Sequence, residues 1–452
     1  MNILICGAQG FIGRHLCQHL QAAGHKIIQA QRRHPSLTQA QDIKQTSGNP
    51  DDEVVIDFAQ DVSDEQWRKR LQTIIAMHGT LDLVINAVGI LRETSGQTFS
   101  QIHAKSPSAL FRACAKLDVK GIVQISALGP AQEAAYVEQG VPLSDYLRTK
   151  READAELKQL SIPYLILKPS LVVGEDGASS RLFRCLASLP VIGLPGDGEQ
   201  QIQPVHIDDL CQAVTRFTQV IAAGEHLQLS LNAVGPEAMS YRQMLLHYRQ
   251  AMAMPAPLFV PIPMWTMHAA AKLAQYLPQR VFAPETLNML CQHNVAAPEA
   301  FEGFIKRPVI APGSWFKSIP AEYLAQNANA MWTHLALRWS LAMLWMISGI
   351  VSLGLFPREQ SYALLQAAGI GAGFAPTVLN SAALLDIVLG VLSLTHASRR
   401  LWVFQIALII VYSAIIAAAL PDYLLQPFGP ITKNLPILAS LLLLAQHQRK
   451  PS

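Results

Sequence analysis

In SDYLRTKREAD, Ser144 to Asp154, a tyrosine and a lysine stand four residues apart, Tyr146 and Lys150. On a helix that spacing puts both side chains on one face. A free phenol titrates at about 10. A nearby ammonium stabilises the phenolate and lowers that value. Such a pair can then give and take a proton near neutral pH. The same spacing also suits the polar face of a surface helix. Spacing alone does not choose between the two, so the elements that would bring a substrate to the pair matter.

The N-terminus reads NILICGAQGFIGRHLCQHLQAAGHKIIQAQRR, a strand, a glycine turn, a helix and a second strand. Gly7, Gly10 and Gly13 form G-x-x-G-x-x-G, with Gln9 in the turn and Phe11 and Ile12 opening the helix. Glycines let the backbone turn tightly and approach a pyrophosphate, which sits at the helix N-terminus. A glycine trio alone is also an ordinary turn; the flanking strand and helix make it a dinucleotide site. The second strand normally ends in an acid that binds a ribose 2′-hydroxyl when NAD is preferred. Here it ends in Arg32 and Arg33. Their guanidinium forks suit a 2′-phosphate, which favours NADP over NAD; a solvated basic loop is the other reading.

Further strands are expected at Val54–Ile56, Leu83–Ile85, Ile122–Ile125 and Tyr164–Leu167, with helices such as Ser106–Leu117 and Ser144–Leu160 between them. Alternation of this kind predicts an α/β, doubly wound parallel sheet of Rossmann type. Ligands bind such sheets outside the carboxyl ends of the strands. Asp57, Asn86, Ala87, Gly89, Ser126 and Pro169 all fall there, together with Gly7.

These pieces resemble the short-chain dehydrogenase/reductase superfamily, in its extended and atypical branches. The carrying residues are GAQGFIG, NAVG, Ser126 in ISALG and Tyr146-x-x-x-Lys150, in that order over about the first 220 residues, with QPVHIDDL after them. The resemblance implies Ser126 polarising a carbonyl or hydroxyl, Tyr146 as general acid/base, and Lys150 holding the nicotinamide ribose while favouring the tyrosinate. It also implies Asn86 in the proton relay or, through its backbone, at the cofactor. Two positions depart from the pattern. Cys6 stands where many members have Thr, and the second strand lacks its acid. Atypical members often bind the cofactor without known turnover.

The chain of 452 residues is half apolar and 15% charged, and the apolar excess is concentrated late. From Met331 onward there are seven Lys/Arg and three acids, leaving 28 bases and 29 acids before it. That balance excludes the basic face nucleic-acid binding needs. Six cysteines are scattered, with no C-x-x-C, as suits a reducing compartment. The opening apolar run, about six residues, is too short for a signal peptide.

Four apolar runs end the chain: His334–Phe356, Val378–His396, Leu401–Leu420 and the shorter Lys433–Gln446. A spanning helix needs about 20 such residues. Arg399 and Arg400, then Arg449 and Lys450, place the loops on one side. The expectation is a four-helix bundle in the cytoplasmic (inner) membrane with both termini in the cytoplasm. Asp386 lies within a span, with Arg338 as candidate partner. NSAALLDIVLGVLSL and PFGPITKNLPILASLLLLA resemble the DoxX-like membrane family, which implies four spans and no settled chemistry.

The organisation expected is a nucleotide domain over 1–220, a substrate-side subdomain and linker over 221–330, and the membrane domain over 331–452. PAPLFVPIPMWTMHAAAKLAQYLPQRVF reads as a short strand and an amphipathic helix with Trp265, Met267, Ala271, Leu273 and Tyr276, a Met and aromatic stripe for packing or for lipid. His206 before Asp208 and Asp209 invites a metal, but the spacing lacks a third ligand and a helix cap is the better reading; no metal is expected. The functional expectation is a membrane-anchored NADP-dependent oxidoreductase acting on a lipophilic alcohol or carbonyl. The alternatives are a non-catalytic NAD(P)H-binding sensor or assembly subunit of a membrane redox complex, and a transport or electron-transfer subunit working through Asp386.

Overall fold

The computed structural model describes residues 1–32, 53–94, 96–130, 133, 143–274, 290, 293–421 and 432–447. The chain divides into two compact units, Met1–Ala325 and Gln326–Ser452.

Among the described residues, the main sheet of the first unit has seven strands: β1 (Asn2–Cys6), β2 (Lys26–Gln31), β3 (Glu53–Val55), β4 (Leu83–Asn86), β5 (Gly121–Ile125), β6 (Tyr164–Pro169) and β7 (Gln228–Ala233). Every neighbouring pair is parallel, in the order β7-β6-β5-β4-β1-β2-β3. The chain starts in the middle of the sheet and reverses direction there, so the ends of β1 and β4 border a crevice. The central strands are buried on both faces, which is why they read as unbroken apolar runs.

Two cores follow, one per face. On one side α1 (Phe11–Ala22) and the helix Ile207–Ala222 bury Leu16, Leu20, Val214 and Phe217. On the other lie α2 (Asp64–His78), α3 (Ser106–Lys116) and α4 (Asp145–Lys158), burying Trp67, Leu71, Phe111 and Leu157. Ser63 and Gln66 form a capping box at the start of α2. Ser144 caps α4 by accepting from the Leu147 N–H. Arg112 on α3 binds Asp64 of α2 and Glu156 of α4.

The elements match the expected alternation, with one difference at the boundary. β7 lies beyond residue 220 and completes the main sheet, and Phe301 and Ile305 return to its core. Short strand pairs occupy the rest of the middle: Val191–Pro195 with Leu258–Ile262, and Gln201–Ile202 with Met239–Ser240. Trp265, on the helix Met264–Ala274, is 75% exposed.

Among the described residues, the second unit has three helices long and apolar enough to cross a membrane, Ala321–Leu355, Ala375–Thr395 and Arg399–Ala419, and a shorter apolar one, Asn434–His447. The first starts thirteen residues before the apolar run at His334, because AEYLAQNANAMW is good helix sequence though not apolar. Asp386 is buried and accepts from Ser348 Oγ at 3.1 Å. Its expected partner is corrected: Arg338 instead donates to the carbonyls of Ser393 and Leu394, at the end of the helix that carries Asp386. A guanidinium there satisfies carbonyls that a helix end leaves open.

Candidate active site

The turn after β1 is fixed by the absence of side chains. Gly7 has φ +83°, and a Cβ there would lie 2.9 Å from Ala87 O. A Cβ on Gly13 would lie 2.1 Å from Gly7 O. Only glycine permits both approaches. The Gly10 N–H closes the turn on Gly7 O at 2.9 Å. Gly10 then starts α1 with no side-chain cap, so the backbone N–H groups at Phe11 and Ile12 form an open helix N-terminus of the kind that binds phosphate. The Phe11 ring packs under Gly174 and Gly177.

Gln9 reaches from the turn to the end of β2, where its amide meets Gln31 Oε1 at 2.5 Å. Arg32 follows, and lines a cavity of about 740 Å³ with Asp57, Gln60, Arg70 and Thr94. The Asp57 carboxylate accepts from the Ala59 N–H and shapes this loop. Arg33 lies outside the described residues.

At the end of β4, Asn86 is fully buried. It donates to Gln124 Oε1 at 2.8 Å and accepts from the Val88 N–H at 3.2 Å. Its amide thus shapes the turn Ala87–Gly89, where the expectation put a proton relay or a backbone contact to the cofactor. Pro169, at the end of β6, accepts from the Leu128 N–H.

Lys150 is buried, and its Nζ donates to Ile125 O at 3.0 Å and Val88 O at 3.3 Å. Burial brings its ammonium down to about 8, against a pull from Asp154. A Cβ on Gly89 would lie 3.5 Å from Nζ. Tyr146, one turn earlier on α4, is buried among Phe99, Ala127 and Leu147. Burial pushes its phenol up to about 12, and the opposing charge is Arg151. This apolar setting opposes the tyrosinate that the resemblance implies, so in the chain alone burial outweighs the cationic neighbour.

Ser126 is also placed differently. Its Oγ donates to Asp154 Oδ2 at 2.6 Å, one turn past Lys150. Arg151 joins the group, bound to Ala127 O at 2.9 Å and paired with Glu133 at 2.6 Å. Beside it lies a polar cavity of about 260 Å³ lined by Glu133, Arg151, Lys168 and Asn232. The Ser126 hydroxyl is therefore spent on a carboxylate. Among the described residues, no hydrogen bond joins it to Tyr146.

His103 is the site residue that sequence reading missed. It lies in a π-helical turn, Ser100–Lys105, that runs into α3. Its Nε2 accepts from the Ile90 N–H at 3.0 Å, and its ring meets Tyr146 edge-on at 5.2 Å. Burial, then the Lys150 charge, lower its pKa to about 2. The neutral ring thus braces both the turn after β4 and the tyrosine. Its sequence signal is weak, because a π turn shifts the helical phase on which spacing arguments rest. His206 caps the helix Ile207–Ala222 by accepting from the Asp208 N–H at 3.2 Å, as the sequence suggested.

The profile of the NAD dependent epimerase/dehydratase family matches residues 3–230. The chain belongs to that family. Residues 342–442 match the DoxX-like family. This is an NAD(P)-binding Rossmann domain of the short-chain dehydrogenase/reductase kind, followed by a DoxX-like domain with apolar helices. Among curated proteins, the chain is 26% identical over 273 residues to the bovine (Bos taurus) epimerase family protein SDR39U1, covering 58% of this chain and 84% of that one. It is 24% identical over 220 residues to mouse (Mus musculus) mitochondrial NADH dehydrogenase [ubiquinone] 1 alpha subcomplex subunit 9, covering 48% and 52%. Among solved structures, human SDR39U1 (isoform 2) with NADPH superposes with a TM-score of 0.50 at 19% identity, covering 72% of this chain and all of that one. That likeness shows the family fold at the level of the backbone.

Proposed function

We propose that the chain is a membrane-anchored, NADP(H)-preferring reductase of a carbonyl on a lipophilic substrate. One observation carries the reading. The three-residue turn Ala87–Gly89 touches the glycine turn at Ala87 O and Lys150 Nζ at Val88 O, so phosphate-binding and proton-handling elements share one support. When bound, a nicotinamide dinucleotide supplies the hydride. The open N-terminus of α1 would hold its pyrophosphate, Arg32 its 2′-phosphate, and Lys150 its ribose. Tyr146, protonated at neutral pH, is suited to donate a proton to a carbonyl oxygen as it is reduced. The apolar helices would anchor the chain to a bilayer, where a lipophilic substrate concentrates. The arginines at 399 and 400 favour a multi-pass arrangement in the inner membrane with both termini in the cytoplasm.

The test is turnover by the purified full-length chain with NADPH and a panel of hydrophobic aldehydes, ketones and quinones. Tyr146→Phe should lower turnover at least ~100-fold, the scale of lost general acid catalysis, with NADPH affinity unchanged. Full activity in that variant would sink the relay.

The Ser126–Asp154 bond favours a second reading, a nucleotide-binding sensor or assembly subunit of a membrane redox complex, because it removes the hydroxyl that should polarise the substrate. In that case a Tyr146→Phe strain would retain normal complex function, and the chain would copurify with partner subunits.

A further inference from the structure

His15 and His19 lie one helical turn apart on α1, at the first turn of α5 (Ile207–Ala222). One ring nitrogen of each and a carboxylate oxygen of Asp208, on α5, all lie within 4.8 Å of one another. A tetrahedral ion with bonds of 2.0–2.1 Å holds its ligand atoms about 3.4 Å apart. His19 Nε2 and Asp208 Oδ1 are already 3.6 Å apart. Their side chains are 40% and 45% exposed, so small rotations can close the remaining gap.

The surroundings aim these groups. His19 Nδ1 lies 2.9 Å from His15 O. An N–H donated there leaves Nε2 with the lone pair beside Asp208. His15 Nε2 lies 2.9 Å from Asp176 Oδ1, the histidine–carboxylate contact that orients metal ligands from outside. Arg14 binds the other Asp176 oxygen. The cap on α5 is made by His206 to the Asp208 backbone, so the Asp208 carboxylate is not needed for capping. The sequence placed Asp208 beside His206 but gave no sign that α1 would deliver two more imidazoles.

We propose that His15, His19 and Asp208 form a site for one divalent transition-metal ion, zinc above all, with solvent completing its shell. Two imidazoles and a carboxylate are the borderline donors zinc takes. The ion would clip α1 to α5, beside the nucleotide turn and apart from Tyr146 and Lys150.

The experiment uses tag-free full-length chain in detergent, stripped with chelator and titrated with Co²⁺, then displaced with Zn²⁺. One Co²⁺ per chain should bind, with the visible absorption of a low-coordinate N/O site, and Zn²⁺ should raise the melting temperature. His15→Ala and His19→Ala should each abolish the spectrum, while His226→Ala, at an exposed histidine elsewhere, should keep it. Asp176→Asn should weaken binding about 10- to 100-fold, the usual effect of removing an orienting group. Retained NADPH affinity would show that the variants are folded. Binding without one-to-one saturation, or binding that survives in both histidine variants, would overturn the site.

Discussion

The turns after β1 and after β5 border the same edge of one sheet, yet different forces hold them. After β1 the constraint is steric. Gly7 and Gly13 face backbone atoms at distances no Cβ tolerates, so a single residue type fits. After β5 the constraint is electrostatic. Ser126, Asp154, Arg151 and Glu133 are linked through a chain of charge-assisted bonds that leaves Asp154 Oδ1 without a partner among the described residues. Each could be met by another partner without changing the backbone. A steric turn is legible from residue types, whereas a charge network depends on which neighbour arrives from the opposite helix.

The sharpest way to break that contrast is Gly13→Ala. The new methyl would press on Gly7 O, and the turn cannot move without losing its contact with Ala87. Loss of measurable NADPH binding and a stability loss of about 3 kcal/mol or more are expected, read by nucleotide titration and thermal melting. An Ala variant that binds normally would show that the turn is softer than its geometry.

Lys150 comes next, since it bonds Ile125 O at the end of β5 and Val88 O in the turn that packs against Gly7. Its ammonium titrates at about 8 when folded, below the ordinary value of 10.5. Between those values the unfolded chain holds a proton that the folded chain has released. Stability from this group therefore rises with pH across that window and is lowest below it. Lys150→Met should remove that rise, as seen in melts from pH 7 to 10. Affinity for NADPH should fall in the wild type as pH passes about 8 and the charge is lost; the variant should be weak and flat throughout.

Arg32→Ala should weaken NADPH about tenfold, the scale of one lost charge-assisted contact, and leave NADH unchanged. Equal losses for both nucleotides would remove the 2′-phosphate assignment. The smallest effect belongs to Ser126→Ala. It should cost about 1–3 kcal/mol of stability, because Asp154 loses its buried donor, while turnover per folded molecule stays within about twofold. A collapse in turnover with stability intact would return Ser126 to the relay.

The same contrast explains what was readable beforehand. The strands around the crevice were visible as short apolar runs, and the helices Ala375–Thr395 and Arg399–Ala419 as long ones. Tyr146 and Lys150 were found because α4 is regular, so four residues mean one face. Their surroundings were not legible, because Phe99 and His103, which wall in the tyrosine, lie some forty residues away in sequence. The partner of Asp386 was misjudged for a related reason. Arg338 was matched to it by charge, but open helix-end carbonyls lie nearer to hand. The seventh strand was hidden because QLSLNA alternates polar and apolar at the sheet edge.

The π turn at Ser100–Lys105 gives the helix running into α3 one residue more per turn than a regular helix has there. One residue is worth about 100° of rotation along an α-helix. Deleting a single residue from this segment would straighten the helix and swing His103 away from Ile90 and Tyr146, with scarcely any change in composition. A comparison of related chains by residue identity would score that as a trivial gap. In this fold the gap would decide whether the tyrosine has a wall to stand against.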